Sequence, residues 1–257
     1  MNLAKSLRRA MSAMLCGLFA WTCSAGTVTV SASKDNTLYQ TSDGSLSDAL
    51  GPHFYVGENS NNLARRGLVA FDLTGVPANA VVSSATLTLN MSRRGPSAAD
   101  HTVSIHSLTR NWGEGTSNAG DPGGTGDAST AGDATWLHAF YSSTFWTTPG
   151  GDFSPTVSAS LITTSNGAYP VTSAGLAADV QRWIQSPATN FGWILIGNES
   201  APTTADRFDS RNNTTAGVGP TLTVVYAVPE PAAISACVVI GGVMLVRRRG
   251  SRGMELD

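Results

Sequence analysis

Polar and apolar residues alternate along much of the chain at the two-residue period of a strand, in short runs separated by turn-forming residues. Thr27-Val28-Thr29-Val30 alternates strictly. Ala85-Thr86-Leu87-Thr88-Leu89-Asn90-Met91 does so over seven residues, which predicts a half-buried strand with Leu87, Leu89 and Met91 inward. Arg66 to Leu73 predicts another, with Gly75-Val76-Pro77-Ala78-Asn79 turning the chain between the two. Further strands are predicted over 102–108, 134–138, 155–163, 191–197, 206–211 and 221–226. Many short strands at this spacing imply an all-β, jelly-roll-like sandwich.

One segment follows a different period. Leu176, Val180, Trp183 and Ile184 recur at i, i+4, i+7 and i+8, with Ser173 placed as a cap and Pro187 beyond the end, so a single short helix is expected here, closing one end of the sandwich. Residues 113–133 contain seven glycines and no apolar period, which predicts an excursion loop inserted into the sheet.

Both ends of the chain break the pattern with continuous apolar runs. At the N-terminus Lys5, Arg8 and Arg9 precede an apolar stretch from Ala10 to Cys23, and Cys23-Ser24-Ala25 offers small residues for cleavage, the layout of a secretory signal over 1–25. At the other end Ala232 to Val246 is unbroken apolar and small. Its 15 residues make roughly 22 Å of helix, short of the roughly 30 Å hydrocarbon core. Arg247, Arg248 and Arg249 follow it and would stay on the cytoplasmic side, so 232–246 is expected to enter the membrane with a basic tail over 247–257. The domain between, 26–226, reaches this helix through an extended linker, 227–231.

Removing the two ends changes the charge and cysteine accounts. The whole chain carries a formal −2, but 26–231 holds nine basic against sixteen acidic side chains, a net of −7. An acidic body with no basic stripe is unsuited to nucleic acid. The three cysteines, Cys16, Cys23 and Cys237, all lie in the terminal segments, so the body has neither disulfides nor thiolate chemistry and must rest on its own core.

Candidate chemistry is sparse. Trp112, Trp136, Trp183 and Trp193 fall within the strand and helix patterns and are expected in the core. Tyr141, Phe145 and Trp146 instead lie in a Ser/Thr/Gly-rich stretch, where exposed rings could stack on sugars. Arg65-Arg66 and Arg93-Arg94 are the only basic pairs in the acidic body, which makes Arg65 and Arg93 candidates for an acidic polysaccharide. Histidines 53, 101, 106 and 138 show no HxH or HExxH spacing. Asp121, Asp127 and Asp133 recur every six residues in the glycine-rich loop, and with Asp35 they are the candidates for a structural calcium ion, although the spacing matches no EF-hand. Asp72, Glu114, Asp179 and Asp209 are the carboxylates available for glycoside chemistry, but no GxSxG or phosphate-cradling loop accompanies them, and no enzyme or cofactor is expected.

Two resemblances extend this reading. Pro229-Glu230-Pro231, the apolar run and the arginines resemble a PEP-CTERM sorting signal, which implies recognition by an exosortase-type membrane protease and release of the body to the cell surface or exterior. The body itself resembles a DNRLRE domain. The likeness begins with Arg66-Gly67-Leu68-Val69-Ala70-Phe71-Asp72-Leu73, Pro77 and Val82 to Leu89, and continues through Trp112-Gly113-Glu114-Gly115, Ala134-Thr135-Trp136, Trp146 to Gly151, Asp179 to Trp183, Asn190-Phe191-Gly192, Phe208-Asp209-Ser210-Arg211 and Pro220 to Tyr226. Where that family has a Glu after the Ser-Arg pair, this chain has Asn212. The resemblance implies a jelly-roll sandwich on an exported protein, structural or adhesive, with extracellular polysaccharide as the alternative partner.

Overall fold

A computed structural model of the chain describes residues 23–97 and 99–229. In chain order these form β1 (Cys23–Tyr39), β2 (Leu46–Ser47), β3 (His53–Glu58), β4 (Ala64–Phe71), β5 (Val81–Arg93), β6 (His101–Leu108), β7 (Asp127–Ala128), β8 (His138–Phe140), β9 (Thr144–Phe145), β10 (Phe153–Thr163), β11 (Gly167–Thr172), the helix α1 (Ala174–Gln185), β12 (Trp193–Ile196), β13 (Asp206–Asp209) and β14 (Thr221–Pro229). The fold is all-β and sandwich-like, its strand pairings antiparallel, with one short helix. Residues Ala25–Ala227 make one compact unit. The expected sorting helix, Glu230, Pro231 and residues 1–22 of the expected signal lie outside the described residues, as do Arg247, Arg248 and Arg249. Among the described residues no helix is long and apolar enough to cross a membrane.

Two groups of strands share one hydrogen-bonded network, in the order β1-β14-β5-β13-β3-β4-β12-β6-β10, with β11 on the far edge of β5 and β1 also pairing β4. The first half of β1 lies beside β14, where Thr29 and Thr223 hydroxyls meet at 2.9 Å. Its second half pairs β4 from Ala32 opposite Phe71 to Tyr39 opposite Arg65. A register shift between Ala32 and Lys34 separates the two halves, and an irregularity of this kind lets one strand bend from one sheet into the next.

Burial follows the alternation read from the sequence in β5, where Ala85, Leu87, Leu89 and Met91 are buried between less buried neighbours. Strand β4 is different: it is buried nearly throughout, so both of its faces are covered. Gly67 lies against Phe54 and Val56 of β3. Leu68 and Ala70 point the other way, into a cluster with Leu38, Ile194, Trp112, Trp136 and Trp146. The three tryptophans come from the long connection between β6 and β10, so this excursion is a lid over the outer face of the sheet.

Helix α1 forms as its periodicity predicts. Ser173 Oγ accepts the N–H of Leu176 at 3.0 Å, and Leu176, Val180, Trp183 and Ile184 are buried. The rings of Trp183 and Trp193 lie 4.6 Å apart, and Trp193 meets Phe71 edge-on at 6.0 Å. The strand expected over 134–138 is not formed. Thr135 Oγ1 accepts the N–H groups of Leu137 and His138 and bonds the His138 ring, so a side-chain-closed turn replaces the ladder and β8 starts only at His138.

Candidate functional site

The aromatic stretch singled out in the sequence divides between interior and surface. Trp146 is only 5% exposed and donates its indole N–H to Thr135 O at 2.8 Å, so it anchors the lid and offers no ring to solvent. The expectation that it stacks on a sugar is therefore overturned: the strand period that turns Phe145 outward turns Trp146 inward. Phe145 is 63% exposed, with its ring 4.2 Å from that of His138, while half-buried Tyr141 meets the same imidazole edge-on at 5.2 Å. Burial lowers the His138 pKa. Tyr141 and Phe145 thus form a small surface patch around His138.

The basic candidates separate as well. Arg65 is 5% exposed, stacked over the Tyr39 ring with its guanidinium carbon 4.8 Å from the centroid, and it donates to Ala64 O. It is a core residue and unavailable to an external anion. Arg93 is exposed at the end of β5 opposite Arg207. Neither is among the residues that line the cleft beside the lid.

A cleft of about 690 Å³ does open beside the lid, at residues the sequence had not marked as a site. Its walls include Arg110, Asn111, Thr147, Asp152 and the partly buried rings of Phe153 and Phe191. Asp152 organises one wall: it accepts the N–H groups of Thr147 and Thr148 at 2.9 and 3.0 Å and the Arg110 Nε at 2.7 Å. Burial alone would raise this carboxyl, but the two amides and the guanidinium outweigh it and hold the pKa below its usual value. Lys34 lies next to this wall, with its ammonium 3.2 Å from Asn111 Oδ1 and 4.1 Å above the Trp112 ring. Burial lowers its pKa to about 8 against the pull of Glu114. Planar hydrogen-bonding groups beside half-buried rings suit a polar ligand with one apolar face. In the sequence these residues lie in separate short segments, Thr109 to Asn111, Thr147 to Phe153 and Phe191, which the fold brings together.

The other carboxylates are held by separate sets of partners. Asp35 is buried at the start of the β4-paired half of β1, and its Oδ2 accepts the Arg211 N–H at 2.7 Å. Glu114 accepts the Asp35 N–H at 2.9 Å and holds Arg211 with both oxygens. Burial pushes the Asp35 carboxyl up to about 7, opposed by the Arg211 amide and reinforced by the Glu114 charge. Asn212, in the place of the family's Glu, donates to Ala49 O at 3.1 Å. Asp209 contacts His53 at 3.0 Å and accepts from Asn90 and Asn213. Asp179 accepts from Ser158, Trp193 and Arg182, and Asp72 from the Thr74 N–H.

Of the residues suggested for calcium, Asp35 is thus taken by Arg211. Asp121 faces His53 and Arg207, both at 3.4 Å, and Asp127 accepts the Ala128 N–H at 2.8 Å. Asp133 is buried and bonds Thr130. These four do not converge, and among the described residues no group of three acidic, histidine or cysteine side chains is placed to hold a metal. The same loop does carry a carboxylate that the sequence did not single out, Asp48, which receives the Ala119 N–H at 2.8 Å. Burial raises its pKa to about 6 against the Ala119 and Gly51 amides, with the Asp127 and Asp133 charges adding to the rise.

Comparison with known protein families finds no matching family model, and a search of characterised proteins finds no match.

Proposed function

We propose that the chain is an exported cell-surface or extracellular-matrix protein, sorted through a PEP-CTERM tail, whose jelly-roll-like body of DNRLRE type serves a structural or adhesive role. The observation that supports this over catalysis is the use of the carboxylates. Of the acids available for glycoside chemistry, Glu114, Asp179 and Asp209 are engaged by framework donors, and Asp72 lies exposed on its own turn, accepting the Thr74 N–H away from the cleft walls. A general acid or base needs a carboxyl directed at substrate and free to exchange its proton. Glu114 also belongs to a cluster with Asp35 and Arg211, residues up to 176 positions apart in the chain, which is a framework role.

Cell fractionation tests the sorting. With an exosortase-type protease present, the chain is expected at the surface or outside, and a Pro229→Ala, Pro231→Ala double variant is expected to stay with the membrane. A full-length, unprocessed chain in the cytosol would contradict the proposal.

A second reading, polysaccharide binding, is favoured by the cleft beside the lid, where Arg110, Asn111 and Asp152 supply hydrogen bonds next to Phe153 and Phe191. On a glycan array this reading expects binding that falls at least about tenfold, roughly 1.4 kcal/mol, in Phe153→Ala. The Phe145→Ala variant reports separately on the His138 patch. No binding across the array leaves the structural role.

A further inference from the structure

Lys34 of β1 is a cation held by neutral groups. Its amine donates to Trp112 O at 2.5 Å and to Asn111 Oδ1 at 3.2 Å, and lies 4.1 Å from the centroid of the Trp112 ring. Glu114 acts on it through charge alone, since both oxygens of that carboxylate are on Arg211. The setting makes the amine easier to deprotonate: burial lowers its pKa to about 8, over the opposing pull of Glu114. Near neutral pH part of the population therefore carries a free lone pair.

The amide that this amine meets is polarised. Asn111 Oδ1 also accepts the Trp112 N–H at 2.9 Å, so two donors converge on one carbonyl oxygen. Trp112 thus positions both partners, with its N–H on the amide oxygen and its C=O on the amine. The amide carbon is one carbonyl bond behind that oxygen, hence at most about 4.4 Å from Nζ. The amine sits on a flexible four-carbon stem, and turning that stem brings it to the separation of about 3–3.5 Å from which attack occurs. Asn111 is exposed, so water can carry protons to and from the pair.

We infer that Lys34 and Asn111 are the two halves of an intramolecular isopeptide bond, formed after the body has folded, that ties β1 to the lid across 77 residues of chain. The neutral amine adds to Asn111 Cγ, and the negative charge this places on Oδ1 is received by the Trp112 N–H. Nζ gives a proton to water, the amide nitrogen takes one, and the Cγ–Nδ2 bond breaks. The products are a Lys34–Asn111 amide and one ammonia, with nothing oxidised or reduced. Folding holds the two groups at the high effective concentration that a single slow turnover requires. Residues 26–231 contain no cysteine, and this bond supplies the covalent brace that a disulfide would otherwise give. The inference rests neither on the sorting reading nor on a ligand in the cleft.

The test takes the full chain, purified in mild detergent and aged at a series of pH values, and maps it by proteolysis and mass spectrometry. The wild type is expected to yield a branched peptide that joins the Lys34 and Asn111 segments and is lighter than their sum by one ammonia. Its rate of appearance is expected to climb through about pH 8. Lys34→Arg, which keeps the charge without a nucleophile, and Asn111→Ala are expected to yield none. The linked chain is expected to melt about 5–10 °C above Lys34→Arg. An aged wild type with only separate peptides, Lys34 free and Asn111 either intact or hydrolysed, overturns the inference. So does a branched peptide that persists in either variant or attaches Lys34 to a different side chain. Equal midpoints would overturn the bracing role.

Discussion

Asp179 offers a direct measurement of how much the carboxylate framework contributes. Its carboxylate sits on α1 and joins three donors from three elements: Ser158 Oγ of β10 at 2.5 Å, Trp193 Nε1 of β12 at 2.8 Å and Arg182 Nη2 of α1 at 2.8 Å. In Asp179→Ala the half-exposed Arg182 can turn to water, but the buried indole N–H of Trp193 and the Ser158 hydroxyl cannot. Each buried donor left without a partner costs about 1–3 kcal/mol. Relief from burying a charge returns part of this, leaving a net loss of about 3 kcal/mol. For a body of this size that corresponds to a fall of about 6–12 °C in the unfolding midpoint, read by tryptophan fluorescence or near-ultraviolet circular dichroism. Asp179→Asn is the sharper variant: all three partners are donors, and an amide presents one acceptor and two further donors to them. A loss of at least about 2 kcal/mol is therefore expected despite equal volume. An Asp179→Asn chain that melts within about 1 °C of wild type would refute the reasoning and reopen a chemical role for this carboxylate.

Two further outcomes follow from the same structure. Asp35 has a folded pKa of about 7 against an ordinary 3.8, so the folded state binds the proton more tightly. Stability is then fullest below about pH 4 and declines up to about pH 7, by on the order of 4 kcal/mol for this group alone. Asp35→Asn should remove most of that slope in urea unfolding at pH 5 and 8, with Asp48 supplying the remainder and Glu114 and Arg211 setting the local field; an unchanged slope would assign it elsewhere. Gly67→Ala should destabilise by about 1–3 kcal/mol through overpacking, because its Cβ would lie 2.8 Å from Phe54 Cδ2 and 3.1 Å from Val56 Cγ2. Adding Phe54→Leu should recover part of that loss in thermal melts; a Gly67→Ala chain as stable as wild type would show that the two sheets yield there.

The sequence alone determined what depends on period and local chemistry. Leu87, Leu89 and Met91 turned inward because a strand alternates, and α1 formed between Ser173 and Pro187 because its apolar residues and its cap agree. The all-β class and the core tryptophans of the strand and helix patterns followed from the same rules. What the sequence could not convey was which face a residue meets when both faces of a sheet are covered. His53 to Glu58, without clear alternation, is a fully buried strand, and β4 is buried on one side by Phe54 and Val56 of that strand and on the other by a lid whose tryptophans come from a distant segment. For that reason Trp146 went inside while Phe145 stayed out, and the cleft assembled from Arg110, Asp152 and Phe191 instead of from the aromatic stretch. Charge was decided in the same way. A carboxylate's spacing in the chain gives its neighbours in sequence, but whether an oxygen ends on an arginine, an amide or nothing at all is fixed by long-range closure of the loops, and only that closure singled out Asp48 from its acidic neighbours.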